Sequence, residues 1–124
     1  MSAVALEPVL AEELWVSFTS LLRSYAGVAG LHRGDAVDVT VAGHAVVLSA
    51  DVVECSIRLS RRTATVSWNL REVTQERATG RFELLPDGRI CQDGVEQEMD
   101  SVAIDMVARV RDRAHARAGK EGSQ

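Results

Sequence analysis

The chain has 124 residues with a 46% hydrophobic and 26% charged composition, which fits one globular domain large enough to bury a core without disulfides or metals. Aromatics are only 4% and the net charge is −4, so the core is expected to be aliphatic and a nucleic-acid partner is disfavoured for want of a basic footprint. No apolar run approaches the roughly 20 residues of a membrane span, and the start, Met1 to Glu7, lacks a basic and apolar leader pattern.

The spacing predicts a first helix over residues 7–26. Pro8 suits the first turn, where its missing N–H costs nothing. Leu10, Leu14, Phe18, Leu21, Leu22 and Tyr25 recur at helical spacing, with Trp15 at the edge of the stripe. Glu12 and Glu13 complement the dipole near its start, and Gly27 and Gly30 are expected to end it.

From Asp35 to Gln92 the period becomes two. Val37, Val39 and Val41 alternate with Asp38 and Thr40, and Ala42-Gly43 offers a tight turn before a strand over 44–50. Cys55, Ile57 and Leu59 alternate with Ser56, Arg58 and Ser60; after a turn at Arg61-Arg62, Ala64, Val66, Trp68 and Leu70 alternate with Thr65, Ser67 and Asn69. Such alternation describes antiparallel strands with one buried and one wet face. On this parity Trp68 points inward with Val66 and Leu70.

Residues 71–80 are polar and read as a connection or a short helical turn. Phe82 and Leu84 open another strand, Pro86-Asp87-Gly88 is a turn, and residues 89–92 return as a short strand. A last helix is predicted over about 96–118, with Met99, Val102, Ala103, Met106, Val107 and Val110 on its apolar face. Glu96, Glu98 and Asp100 crowd its start and Arg109, Arg111, Arg113 and Arg117 its end, which matches the helix dipole.

The expected architecture is therefore a single α+β domain over 1–124, with flexible ends at 1–6 and 119–124. An N-terminal helix, an antiparallel sheet of about six strands and a C-terminal helix form a two-layer sandwich, both helices on one face. The other face is wet and lined by Thr, Ser, Asn and Arg.

No residue set spells a reaction. His32, His44 and His115 have no companions at metal-ligand spacing, and the serines lack a nucleophile-elbow or Ser-x-x-Lys context. Cys55 shares a face with Ile57 and Leu59 and reads as a buried thiol; Cys91 is the more accessible. Two cysteines make no secreted framework, which gives the expectation of reduced thiols and a cytoplasmic location. Gly27, Gly30 and Gly34 stand between a helix and a strand, the wrong order for a dinucleotide fingerprint. Arg33-Gly34-Asp35 is a chance tripeptide, and Arg58 with Arg62 lacks the second half of a cyclic-dinucleotide motif.

What is left is binding. The candidate surfaces are the wet sheet face, with Arg58, Thr65, Ser67 and Asn69, and the arginine stripe Arg109, Arg113 and Arg117 on the final helix. The expectation is a small non-catalytic binding or adaptor protein, without a cofactor, that meets a protein partner and neither membrane nor nucleic acid; homodimerisation is left open.

Three strings add a resemblance. Leu10-Ala11-Glu12-Glu13-Leu14-Trp15, Val66-Ser67-Trp68-Asn69-Leu70, and Gly88-Arg89-Ile90-Cys91 followed by Asp93-Gly94 resemble the first helix, the tryptophan-bearing strand and the last hairpin of the frataxins. The resemblance implies the same helix, meander, helix order and, as an alternative function, an iron-binding role in iron–sulfur cluster assembly. Frataxins carry a dense acidic ridge, where this chain offers Glu7, Glu12, Glu13, Asp35 and Asp38. Glu12 with Asp38 is the pair that resemblance would assign to iron. Size and charge are also similar to those of small acidic dimeric secretion chaperones.

Overall fold

In the computed structural model, which describes residues 7–31, 36–73 and 75–122 (side chains through residue 116), two helices bracket a seven-stranded meander. Helix α1 (Pro8–Ala29) is followed by strands β1 (Asp38–Ala42), β2 (Ala45–Ala50), β3 (Val53–Ser60), β4 (Thr65–Glu72), β5 (Gln75–Leu84), β6 (Ile90–Gln92) and β7 (Val95–Gln97), and then by helix α2 (Met99–Gly122). The strands pair antiparallel in chain order, β1 to β7, in one open sheet. One core joins both helices to one sheet face. This is the α+β sandwich the alternation predicts, with one strand more. His32, the Arg33-Gly34-Asp35 tripeptide, the side chain of Arg117 and the ends at 1–6 and 119–124 lie outside the described residues or side chains.

Helix α1 runs three residues past its expected end. Gly27 is an exposed helical residue, and Gly30 caps the helix with its N–H donating to the Ala26 carbonyl at 3.0 Å. The buried stripe is Ala11, Trp15, Phe18, Leu22, Ala26 and Ala29. Leu14, Leu21 and Tyr25 flank it half-buried. The stripe is thus centred on Trp15, which is 2% exposed, rather than bordered by it. The indole Nε1 of Trp15 donates to the Gly43 carbonyl at 3.1 Å and ties α1 to the β1–β2 turn. Tyr25 donates to Asp100 Oδ2 at 2.8 Å and ties α1 to α2.

The polar stretch over 71–80 is not a connection. β4 continues to Glu72, and after a two-residue loop β5 starts at Gln75. Alternation fails there because the inward positions are not large apolar residues. They are Glu72, Ala78 and Gly80, opposite Gln75, Leu70 and Trp68. The Trp68 indole fills the space over Gly80, where a Cβ would meet its ring at 2.6 Å. Glu72 is 7% exposed and anchors Arg113 of α2 at 2.7 Å and Arg77 at 3.3 Å. A β-bulge falls at Arg77, since Leu70 pairs with Ala78 and Arg71 with Glu76.

The seventh strand comes from the segment expected to open the last helix. Asp93 and Gly94 have φ of 54° and 78°, the double positive φ of the tight hairpin turn that Asp-Gly favours. They fold Val95–Gln97 back on β6. Glu96 and Glu98 therefore precede α2, and only Asp100 lies in its first turn. Arg89 holds both, at 2.9 Å and 3.4 Å, so these carboxylates fasten the hairpin to the preceding turn instead of serving the helix dipole.

Candidate functional site

Strand parity builds the open face in rows. Ser56 of β3 pairs with Asn69 of β4, which pairs with Thr79 of β5; Arg58 pairs with Ser67, which pairs with Arg81. These six side chains line a groove of about 530 Å³ on the side of the sheet away from the helices. The two arginines stand two strands apart, roughly 10 Å between backbones, with only the small Ser67 between them. Among the described residues neither guanidinium makes an ion pair. The next row toward the β4–β5 turn is Glu54, Arg71 and Glu76. Asn69 is oriented by Glu76, to which its Nδ2 donates at 2.6 Å, and its Oδ1 is buried without a partner. The groove thus has a cationic row, a hydroxyl and amide row, and a mixed row with carboxylates at its border.

Of the residues the sequence singled out, Arg58, Ser67 and Asn69 converge on this groove. Thr65 lines a neighbouring depression with Arg81, Glu83 and Cys91. Arg81, Ser56 and Thr79 complete the groove and were not singled out. Ser56 and Arg81 carried a readable signal: their parity opposes that of Cys55 and Phe82, so both had to face water.

The helical arginines lie elsewhere and are engaged within the chain. The Arg109 guanidinium sits 4.8 Å from the Trp68 ring centroid. Arg113 pairs with the buried Glu72. Together they dock α2 onto the inner face of β4.

Glu12 and Asp38 are not brought together. Asp38 pairs with Ser49 at the far end of β1 from the β1–β2 turn and belongs to the outward parity. Glu12 lies on the helix layer and binds His44 Nε2 at 2.5 Å, with Arg61 at 3.9 Å. Five residues of strand from Asp38 to Ala42 rise about 13 Å. The hydrogen bond from His44 holds the Glu12 carboxyl below its ordinary pKa, and the carboxylate is engaged by both His44 and Arg61. Among the described residues, no three His, Cys, Asp or Glu groups gather as metal ligands.

The thiols are both free. Burial pushes Cys55 up to about 12, with Arg109 pulling weakly the other way, so it stays protonated and unreactive at neutral pH. Cys91 is half-buried on β6, opposite Glu83 on the outward parity.

No helix among the described residues is long and apolar enough to cross a membrane. Comparison with known proteins adds nothing to this geometry: no family model, no curated protein and no solved structure matches the chain.

Proposed function

We propose that this chain is a non-catalytic binding module whose working surface is the open sheet face, and that its occupant is an acidic segment of a protein partner. The observation that carries the reading is the row Arg58, Ser67 and Arg81: two unpaired guanidiniums across one groove in a chain of net charge −4. A fold has no need to aim two uncompensated cations at the same hollow, and a carboxylate between them would accept charge-assisted hydrogen bonds from both. The groove lies open on the sheet face, whereas small-molecule sites enclose most of their ligand. The non-catalytic part is supported by the state of the reactive groups. His44 is held by Glu12 and not by a hydroxyl or thiol, and Cys55 is kept as a thiol.

Fluorescence anisotropy of a labelled octa-aspartate peptide at low salt tests this. Saturable binding is expected, with affinity reduced at least tenfold in the Arg58→Ala/Arg81→Ala double variant and unchanged in Arg23→Ala, which removes an exposed cation from α1. Equal binding by all three proteins would refute the reading.

A further inference from the structure

The groove over Arg58 and Arg81 does not end at the sheet face. A second hollow, of about 350 Å³, shares Arg58 and continues over Ala45 to His44. A third, of about 430 Å³, shares His44 and reaches Arg61, Arg62 and Pro8. The three hollows are joined through common walls. They form one track that crosses β5, β4 and β3 and then turns over the end of the sheet where the β1–β2 and β3–β4 turns meet.

The charged side chains that line the three hollows are arginines, with His44 beside them. Arg81, Arg58 and Arg62 make no ion pair among the described residues, and Arg61 shares Glu12 with His44 at a loose 3.9 Å. Glu12 is a carboxylate on this path, and its two partners occupy it. Clefts lined by one sign concentrate the opposite charge. Glu54 and Glu76 lie one row beyond Asn69, where they repel an acidic chain that strays toward the other end of the strands.

We infer that the partner segment lies across the strands, from Arg81 over Arg58 to the Arg61-Arg62 turn, as an extended acidic peptide of about seven residues. This rests on the reading of the open face given above and adds direction and length to it. The first leg, Arg81 to Arg58, covers two strand spacings of about 4.8 Å each; the second, Arg58 to Arg62, covers two residues of strand and two of turn, at most about 13 Å. The path is therefore at most about 23 Å, and an extended chain covers it at 3.3–3.6 Å per residue. A peptide is favoured over single-stranded nucleic acid because the track offers no exposed Phe, Tyr or Trp, its one indole, Trp68, being largely buried and its one imidazole, His44, being tied to Glu12, and base stacking on aromatic faces is what such strands use.

Anisotropy titrations of labelled tri-aspartate, octa-aspartate and hexathymidylate at low salt separate the outcomes. Tri-aspartate spans only the Arg58–Arg81 leg. Octa-aspartate is expected to bind at least tenfold more tightly, to lose that gain in Arg62→Ala, and to be unaffected by Arg23→Ala. Tri-aspartate is expected to weaken in Arg81→Ala and to ignore Arg62→Ala. Equal affinities of the two peptides, with no effect of Arg62→Ala on either, would overturn the track while leaving the sheet-face reading in place. No saturable binding of either peptide would overturn both. Hexathymidylate bound as tightly as octa-aspartate would overturn the peptide as occupant.

Discussion

Gly80 is a place where the removal of a side chain is structural, and adding one back measures how tightly the sheet holds Trp68. The residue lies opposite Trp68 in the β4–β5 ladder, and its backbone is outside the left-handed region. Alanine therefore suffers no dihedral penalty there, and β-propensity alone would favour it. The penalty is contact. A Cβ at Gly80 would stand 2.6 Å from Cε2 and Cζ2 of the indole and 2.7 Å from Nε1. Ordinary contact begins at about 3.4 Å, so the ring must move by close to an ångström. It has little room, since it is 6% exposed and lies beneath the Arg109 guanidinium. Overpacking of this kind costs about 1–3 kcal/mol, and a displaced ring also loses roughly 0.5–1 kcal/mol of cation–π attraction. Gly80→Ala should thus destabilise the domain by about 2–3 kcal/mol in urea denaturation followed by tryptophan fluorescence. The same change in a Trp68→Leu background should be close to neutral, because the offending ring is gone. A loss below about 0.5 kcal/mol in the parent, or an equal loss in both backgrounds, would show that the indole does not sit where this packing requires.

Phe18→Ala should cost about 3–5 kcal/mol, since the ring is fully buried and meets Trp15 at 6.2 Å and Phe82 at 5.5 Å between centroids; a loss under about 1 kcal/mol in chemical denaturation would contradict that packing. Thiol titration of the native protein should show Cys91 reacting well before Cys55, with both free after unfolding without reductant; equal native rates would contradict the burial of Cys55. Glu12 has a folded pKa below its unfolded value, so its contribution is present above the unfolded pKa and fades as pH falls through the folded one. Glu12→Gln should accordingly flatten the acid limb of the stability profile and leave any alkaline limb alone, and an unchanged acid limb would refute the pairing with His44. Deletion of Arg77 should leave an unbroken β4–β5 ladder in the native phase, with Leu70 still opposite Ala78 and Val66 opposite Phe82, and so should remain folded and cooperative; loss of cooperative unfolding in that variant would refute the role given to the bulge.

The architecture was legible where one face of an element meets the core and the other meets water. β3 and the first part of β4 alternate without a break, and the inward direction of Trp68 followed from Val66 and Leu70 alone. Legibility failed where long-range contacts replace apolar side chains. The second half of the β4–β5 hairpin is hidden because Glu72, Ala78 and Gly80 occupy inward positions, and only the indole of Trp68 and the guanidinium of Arg113 make those residues sensible. The seventh strand was masked by charge. Glu96 and Glu98 look like dipole partners until Arg89, across the hairpin, is seen to hold both. The groove was half legible. Arg58, Ser67 and Asn69 could be placed by parity, but Arg81 belongs to a strand whose beginning was unreadable. The arginines of α2 form a stripe by spacing, yet nothing local reveals that Arg109 covers Trp68 and Arg113 meets Glu72.

The bulge at Arg77 connects these points. A two-residue loop joins Glu72 to Gln75, and an unbroken ladder from that loop would pair Leu70 with Arg77, Trp68 with Thr79 and Val66 with Arg81. A slip of one residue exchanges every side chain between faces. Arg81 and Glu83 would then point into the core, and Phe82 and Leu84 into water. Leaving one residue out of the ladder restores the phase, so that Leu70 meets Ala78, Trp68 meets Gly80 and Val66 meets Phe82. Arg77, left over, turns to Glu72 at 3.3 Å. The bulge thereby does two things at once. It puts Phe82 against Phe18, 5.5 Å between centroids, and it puts Arg81 on the open face in the same row as Arg58. Core and groove therefore share one determinant, although their side chains lie on opposite faces of the sheet. Changes to the groove arginines themselves touch nothing in the core and should leave stability within about 0.5 kcal/mol. Binding and folding can then be measured apart in Arg58→Ala and Arg81→Ala, but not in any variant that alters the phase of β5.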